Sequence, residues 1–91
     1  MARVFWPEAA VDQLDEIMAY IALFDPAAAD RIGARLFELG QSLADIPERG
    51  RPAPGGAREM VTVRPYILRY AFEDGLVTIL GIRHAAQDSI D

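Results

Sequence analysis

Two apolar stripes, separated by little more than Asp25-Pro26, do most to narrow the folds open to this chain. Ala10, Leu14, Ile17, Ile21 and Phe24 recur at steps of four and three, and Ile32, Leu36, Leu39, Leu43 and Ile46 repeat the same steps. That spacing places each set on one face of a helix. Pro7 stands where a first helical turn tolerates it, with Glu8 favourably placed against the helix dipole. Asp25 suits an N-cap and Pro26 a first helical residue. Pro47 is expected to end the second helix. So short a link folds the two helices back into an antiparallel hairpin. Ala27, Ala28, Ala29, Gly33 and Gly40 keep one side slim for close packing, although Gly40 costs about 1 kcal/mol of helix propensity relative to Ala.

The remainder reads as strands. Arg3 to Trp6 is a brief apolar run ended by Pro7. Residues 47–56 hold three prolines and three glycines, which makes a loop. Arg58 to Val63 alternates as a strand and is broken at Arg64-Pro65. Tyr66 to Phe72 puts Tyr66, Leu68, Tyr70 and Phe72 on one face and Ile67, Arg69 and Ala71 on the other. Asp74-Gly75 signals a hairpin turn. Leu76 to Arg83 is mostly apolar and is expected to be central in the sheet; no pattern follows from His84 onward. The expected fold is α+β: a short N-terminal strand, then an antiparallel helix hairpin packed on one face of an antiparallel sheet with a three-strand C-terminal meander. Residues 1–91 form one domain. The other sheet face is left open and is expected to carry an apolar patch that marks a partner site.

Composition removes several function classes. The chain has 91 residues and no cysteine, so disulfide and thiolate chemistry are excluded. One histidine cannot build a His-rich metal site. No apolar run approaches the ~20 residues of a membrane span, and no signal segment opens the chain, so a cytoplasmic protein without membrane partners is expected. The net charge is −5, a poor balance for a bulk nucleic-acid binder. The charge is unevenly spread. Residues 1–48 carry nine acids against three arginines, whereas residues 49–69 carry five arginines against Glu59 alone. Every basic residue is Arg, the side chain suited to bidentate recognition of carboxylates or phosphates. Asp12, Asp15 and Glu16 suit a solvated helix face, and Gly55-Gly56 precedes a strand, so it is no phosphate cradle.

In order along the chain stand Trp6, Ala9-Ala10, Leu14, Ile17, Tyr20-Ile21-Ala22, Asp25-Pro26-Ala27-Ala28-Ala29, Leu43, Pro47, Gly50-Arg51, Arg58-Glu59, Tyr66-Ile67-Leu68-Arg69-Tyr70 and Ile79-Leu80, Ile82-Arg83-His84-Ala85-Ala86-Gln87. This pattern resembles the ParE branch of the RelE/ParE toxin superfamily over nearly the whole chain. The resemblance implies a helical hairpin on an antiparallel sheet and the toxin of a type II toxin–antitoxin module. It implies DNA gyrase as the target, inhibited by binding. It also implies neutralisation by a small ParD-like antitoxin whose C-terminal segment wraps the toxin in a hetero-oligomer. Operator DNA would be reached only through the antitoxin, and no cofactor is implied.

The RelE branch instead cleaves mRNA in the ribosome, with a cluster of basic residues and, in many members, a C-terminal tyrosine. Attack by a 2′-hydroxyl needs a group that activates it and cations that stabilise phosphate charge. This chain has no Lys and no Tyr after Tyr70. Arg64, Arg69, Arg83 and His84 are the available substitutes, and His84 could act as acid or base. The departure favours a toxin that works by binding rather than an enzyme; a toxin relative that has kept only its binding role is a further alternative. The antitoxin-binding set is read as Arg49, Arg51, Arg58, Glu59 and Arg69. The target-binding set is Arg83, His84 and Gln87. Arg58 and Glu59, as strand neighbours, point to opposite faces and do not pair with each other.

Overall fold

The computed structural model describes residues 1–86. Strand β1 (Arg3–Phe5) runs into helix α1 (Glu8–Ala22), and α2 (Pro26–Ser42) returns antiparallel to it. Pro7 is extended and its carbonyl starts the helix, accepting the Ala10 and Val11 N–H groups. Asp25 caps α2 as expected, its carboxylate accepting the Ala28 N–H at 3.1 Å with Pro26 as first helical residue. The hairpin is as close as its small residues suggest: Gly33 lies against Met18, and Gly40 lies under the Trp6 ring. That ring stacks on Phe37 at 5.6 Å, and its Nε1 donates to Gln41 Oε1.

Both stripes stop short of their expected ends. Phe24 lies beyond α1 and is 75% exposed, and Ile46 lies beyond α2 and is also exposed. Leu43, one residue past α2, is fully buried and closes the core. The stripe therefore remains inward where the helix backbone carries it and loses its meaning once the chain turns.

Four further strands complete the sheet: β2 (Arg51–Pro52), β3 (Arg58–Met60), β4 (Tyr66–Glu73) and β5 (Leu76–His84). Their order is β1-β5-β4-β3-β2. The C-terminal meander is antiparallel as expected, but the sheet as a whole is mixed, because β1 pairs parallel with β5 from Arg3↔Leu76 to Phe5↔Thr78. This pairing joins residues more than seventy positions apart and leaves no local signal in the sequence. β5 is an interior strand, as expected, flanked by β1 and β4, although β4 is the middle one of the five. β3 ends at Met60, three residues early, before the cis Arg64-Pro65 peptide. The Pro/Gly loop is also more ordered than its composition suggests, containing β2 and a tight turn at Pro54–Gly56 whose two glycines both take φ of 78°.

The β4–β5 turn takes the conformation its sequence demands, with φ of 54° at Asp74 and 75° at Gly75. Further along, Arg69 pairs with Gly81 but Tyr70 pairs with Ile79, so Leu80 has no partner opposite it. This bulge shifts the alternation of β5, and Val77, Ile79 and then Ile82 all reach the core. On this inner face Leu68, Tyr70, Val77 and Ile79 are fully buried against Leu36 and Leu43 of the hairpin. No buried side-chain polar atom among the described residues lacks a hydrogen-bond partner.

The open face differs from expectation. Phe5 and Leu80 are exposed at the β1–β5 side, whereas the β2–β3–β4 side carries a charged row with only a small apolar hollow beside it, at Val61, Pro65, Ile67 and Ala85. Most exposed large apolar side chains lie instead on the helices and their tip, at Val11, Tyr20, Leu23, Phe24 and Phe37. The alternation of β4 accounts for the difference. Its outer set is Ile67, Arg69 and Ala71, and only the first is a large apolar residue.

Candidate functional site

Three residues on successive strands stand directly opposite one another on the open face: Arg51 on β2, Glu59 on β3 and Arg69 on β4. Cross-strand neighbours share a face, so the register alone assembles this row. Arg83, opposite Ile67 on β5, reaches across β4 to join it. Glu59 is the hinge of the group. Its Oε2 accepts from Arg83 Nη2 at 2.8 Å, and its Oε1 accepts from Arg51 Nη2 at 3.1 Å and Nε at 3.3 Å. The Glu59 side chain is 9% exposed, against 57% for Arg51 and 33% for Arg83. The Arg83 hydrogen bond holds the Glu59 carboxyl below the usual carboxylate range despite the opposing effect of burial, and Arg51 adds to the lowering. Arg69 is held separately, its Nη2 donating to the Pro54 carbonyl at 3.1 Å.

The other two arginines of the expected antitoxin-binding set are likewise engaged within the chain, at the loop before β2. Arg58 faces away from Glu59, as strand alternation requires. Its Nη1 donates to the Gly50 carbonyl at 2.7 Å and the Glu48 carbonyl at 3.1 Å. Arg49 Nη1 donates to Ser42 Oγ at 3.1 Å. Tyr70 completes this anchorage of the loop: its hydroxyl donates to the Pro47 carbonyl at 2.7 Å and accepts the Gly50 N–H at 2.8 Å. The sequence marks Tyr70 as a core residue and gives no sign that its hydroxyl ties the loop to the sheet.

Arg83 and His84 of the expected target-binding set line a groove of about 470 Å³ between α1 and the end of β5, together with Gln13, Glu16, Ile17, Tyr20, Tyr66 and Ile82. His84 Nδ1 accepts the Ala86 N–H at 3.0 Å, and its ring stands edge-on to Tyr66 at 5.5 Å. Burial pushes the Tyr66 phenol up. Gln87 lies outside the described residues. Gln13 is a residue that pattern reading passes over. β1 covers β5 only as far as Thr78, and Gln13 Oε1 accepts the Ile82 N–H at 2.9 Å on the edge beyond. A glutamine beside an apolar helical stripe looks solvated until the strand beneath it is known. Among the described residues no cluster of three or more His, Cys, Asp or Glu could hold a metal ion, and no helix is long and apolar enough to cross a membrane.

The site is thus a charge array oriented by its own hydrogen bonds, on a two-helix, five-strand α+β fold. The family model for the ParE toxin of the type II toxin–antitoxin system parDE matches residues 4–89. Toxin RelE2 of Caulobacter vibrioides is 49% identical over 87 residues, covering 96% of this chain and 99% of that protein. Putative toxin Y4kP of Sinorhizobium fredii is 41% identical over 87 residues, covering 93% and 90%. A solved structure described as the chromosomal ParDE TA system from P. aeruginosa has the same fold, with a TM-score of 0.80 at 21% identity over 92% of this chain and 96% of that one. The chain belongs to the ParE toxin family of type II toxin–antitoxin systems.

Proposed function

We propose that this toxin arrests growth by binding DNA gyrase and inhibiting it, without bond-making chemistry of its own, and that a ParD-like antitoxin silences it by folding over the open sheet face. The observation that carries this reading is the engagement of the arginines. Arg51 and Arg83 are held by one carboxylate and Arg69 by a loop carbonyl, an arrangement suited to presenting fixed cations to a partner. The antitoxin contact is assigned to Arg51, Glu59 and Arg69, with Arg49 and Arg58 shaping the adjoining loop. The target contact is assigned to the Arg83–His84 groove. A gyrase target places the active protein in the cytoplasm. The toxin–antitoxin complex is a hetero-oligomer that reaches operator DNA through the antitoxin alone. The deciding experiment is a supercoiling assay with purified gyrase and the purified toxin. Inhibition relieved by antitoxin is expected, and unchanged supercoiling at stoichiometric excess of toxin would reject the reading.

A second reading is favoured by the composition of the groove, where Arg83, His84 and Glu16 come together with Tyr66. This set could serve a ribosome-dependent mRNA endonuclease of the RelE type, with Arg83 stabilising phosphate charge and His84 moving a proton. In vitro translation followed by primer extension tests it. Codon-positioned cuts abolished by Arg83→Ala and His84→Ala would replace the first reading with this one.

A further inference from the structure

Glu59 poses a question that the family assignment leaves unanswered. It is an acid, on the face proposed to receive an acidic partner, and it is the least exposed charged side chain there. Burying a carboxylate is unfavourable unless its charge is matched. Here it is matched from both sides, by Arg83 behind it and Arg51 in front. The order of exposure gives the direction of the relay. Arg83 and Glu59 form its inner part, and Arg51, more than half exposed, forms its outer end. Arg51 presents Nε and Nη2 side-on to a single carboxylate oxygen, which orients its guanidinium. Arg69 lies in the same row, fixed by the Pro54 carbonyl. Beside this row, Arg51 also borders a mostly apolar hollow of about 360 Å³ lined by Val61, Pro65, Tyr66, Ile67 and Ala85, with Arg64 as a further cation at its wall. Oriented cations next to an apolar hollow suit an extended segment that carries carboxylates and apolar side chains in alternation.

We propose that Glu59 is a positioning residue: it holds Arg51 in line with Arg69 so that the open face receives an acidic, apolar-alternating segment of the antitoxin. This rests on the reading that an antitoxin covers this face. The role makes an unusual prediction of sign. Glu59→Gln raises the net charge of the strip by one, so a site working by charge alone would bind an acidic segment more tightly. A site that depends on preset arginines binds more weakly, because a freed Arg51 side chain has to be ordered on binding.

The test uses the full chain and two labelled peptides of equal length, one alternating Glu and Leu, the other alternating Gln and Leu, followed by fluorescence anisotropy at low and moderate salt. The wild type is expected to bind the Glu peptide in preference to the Gln peptide, and less tightly as salt rises. Glu59→Gln should weaken binding of the Glu peptide roughly three- to tenfold, the ordering loss of one long side chain. Arg51→Lys keeps the charge but loses the side-on fork, and it should also bind more weakly; Arg51→Gln and Arg69→Gln should bind weakest. Thermal melts of each variant confirm folding, and the Arg51 and Arg69 variants carry the test if Glu59→Gln does not fold. Equal binding of the two peptides, unchanged or tighter binding by Glu59→Gln, full binding by Arg51→Lys, or displacement of the peptide by a single-stranded oligonucleotide or by a second copy of the chain would each overturn the proposal. Gyrase is absent from this assay, so a failed supercoiling experiment and a failed positioning role are separate results.

Discussion

Glu59 and Tyr70 show how single side chains tie distant segments of this small domain together. Glu59 joins β2, β3 and β5 through two arginines, and its folded-state carboxyl lies below the ordinary value of 4.5. The folded chain therefore binds this proton less tightly than the unfolded chain does. The stabilisation is complete above the ordinary value and is lost as pH falls through the lowered one. Glu59→Gln is expected to cost about 1–3 kcal/mol near neutral pH, mostly through Arg83, because the exposure of Arg51 screens its share. The gap between wild type and variant should narrow as urea melts are repeated at progressively lower pH; a gap that does not change with pH would contradict the assignment. Tyr70 acts through its hydroxyl. Tyr70→Phe keeps the ring in the core but leaves the Gly50 N–H and the Pro47 carbonyl without their partner. A loss of about 1–3 kcal/mol is expected, with faster hydrogen exchange at the Gly50 amide. Neither role was legible in the sequence. Strand alternation correctly separated Arg58 from Glu59, but the partners of both come from segments that only the folded chain brings near.

Among the elements, the helices were the most legible because their signals are local. Asp25 caps α2 through the Ala28 N–H, as the Asp-Pro pair suggests. Asp25→Ala is expected to destabilise the protein by about 1 kcal/mol, measurable by thermal melting, whereas Asp25→Ser should restore most of the loss. The Asp74-Gly75 turn was equally clear, since its two positive φ values require such residues. The strands were legible in existence and less so in extent. β3 stops at Met60 although its alternating character runs on to Val63, and β2 emerges from a stretch whose prolines and glycines read as loop. A two-residue strand has no period to detect. It exists because β3 offers it a pairing edge and because Arg58 and Tyr70 anchor the loop around it.

At the scale of the whole molecule, one continuous core lies between the hairpin and the inner sheet face, and the apolar residues left outside it gather on the helices. The two groups should respond differently to substitution. Leu36→Ala removes a fully buried side chain facing the sheet and is expected to cost about 2–5 kcal/mol, a fall in Tm of at least about 8 °C for a domain of this size. Leu23→Ser, at the exposed tip of the hairpin, should change stability by less than about 0.5 kcal/mol. The sequence by itself determined the two helices, their antiparallel return, the β4–β5 hairpin, the α+β class and the family, because helical period, caps, turn residues and ordered motifs are written in neighbouring positions. Only the tertiary structure decided that β1 pairs parallel with β5, that a bulge at Leu80 turns Ile82 inward, and that the open face centres on an arginine strip around a buried Glu59. Those features depend on register and on pairings between residues far apart in the chain, where a shift of one position exchanges the two faces of a strand.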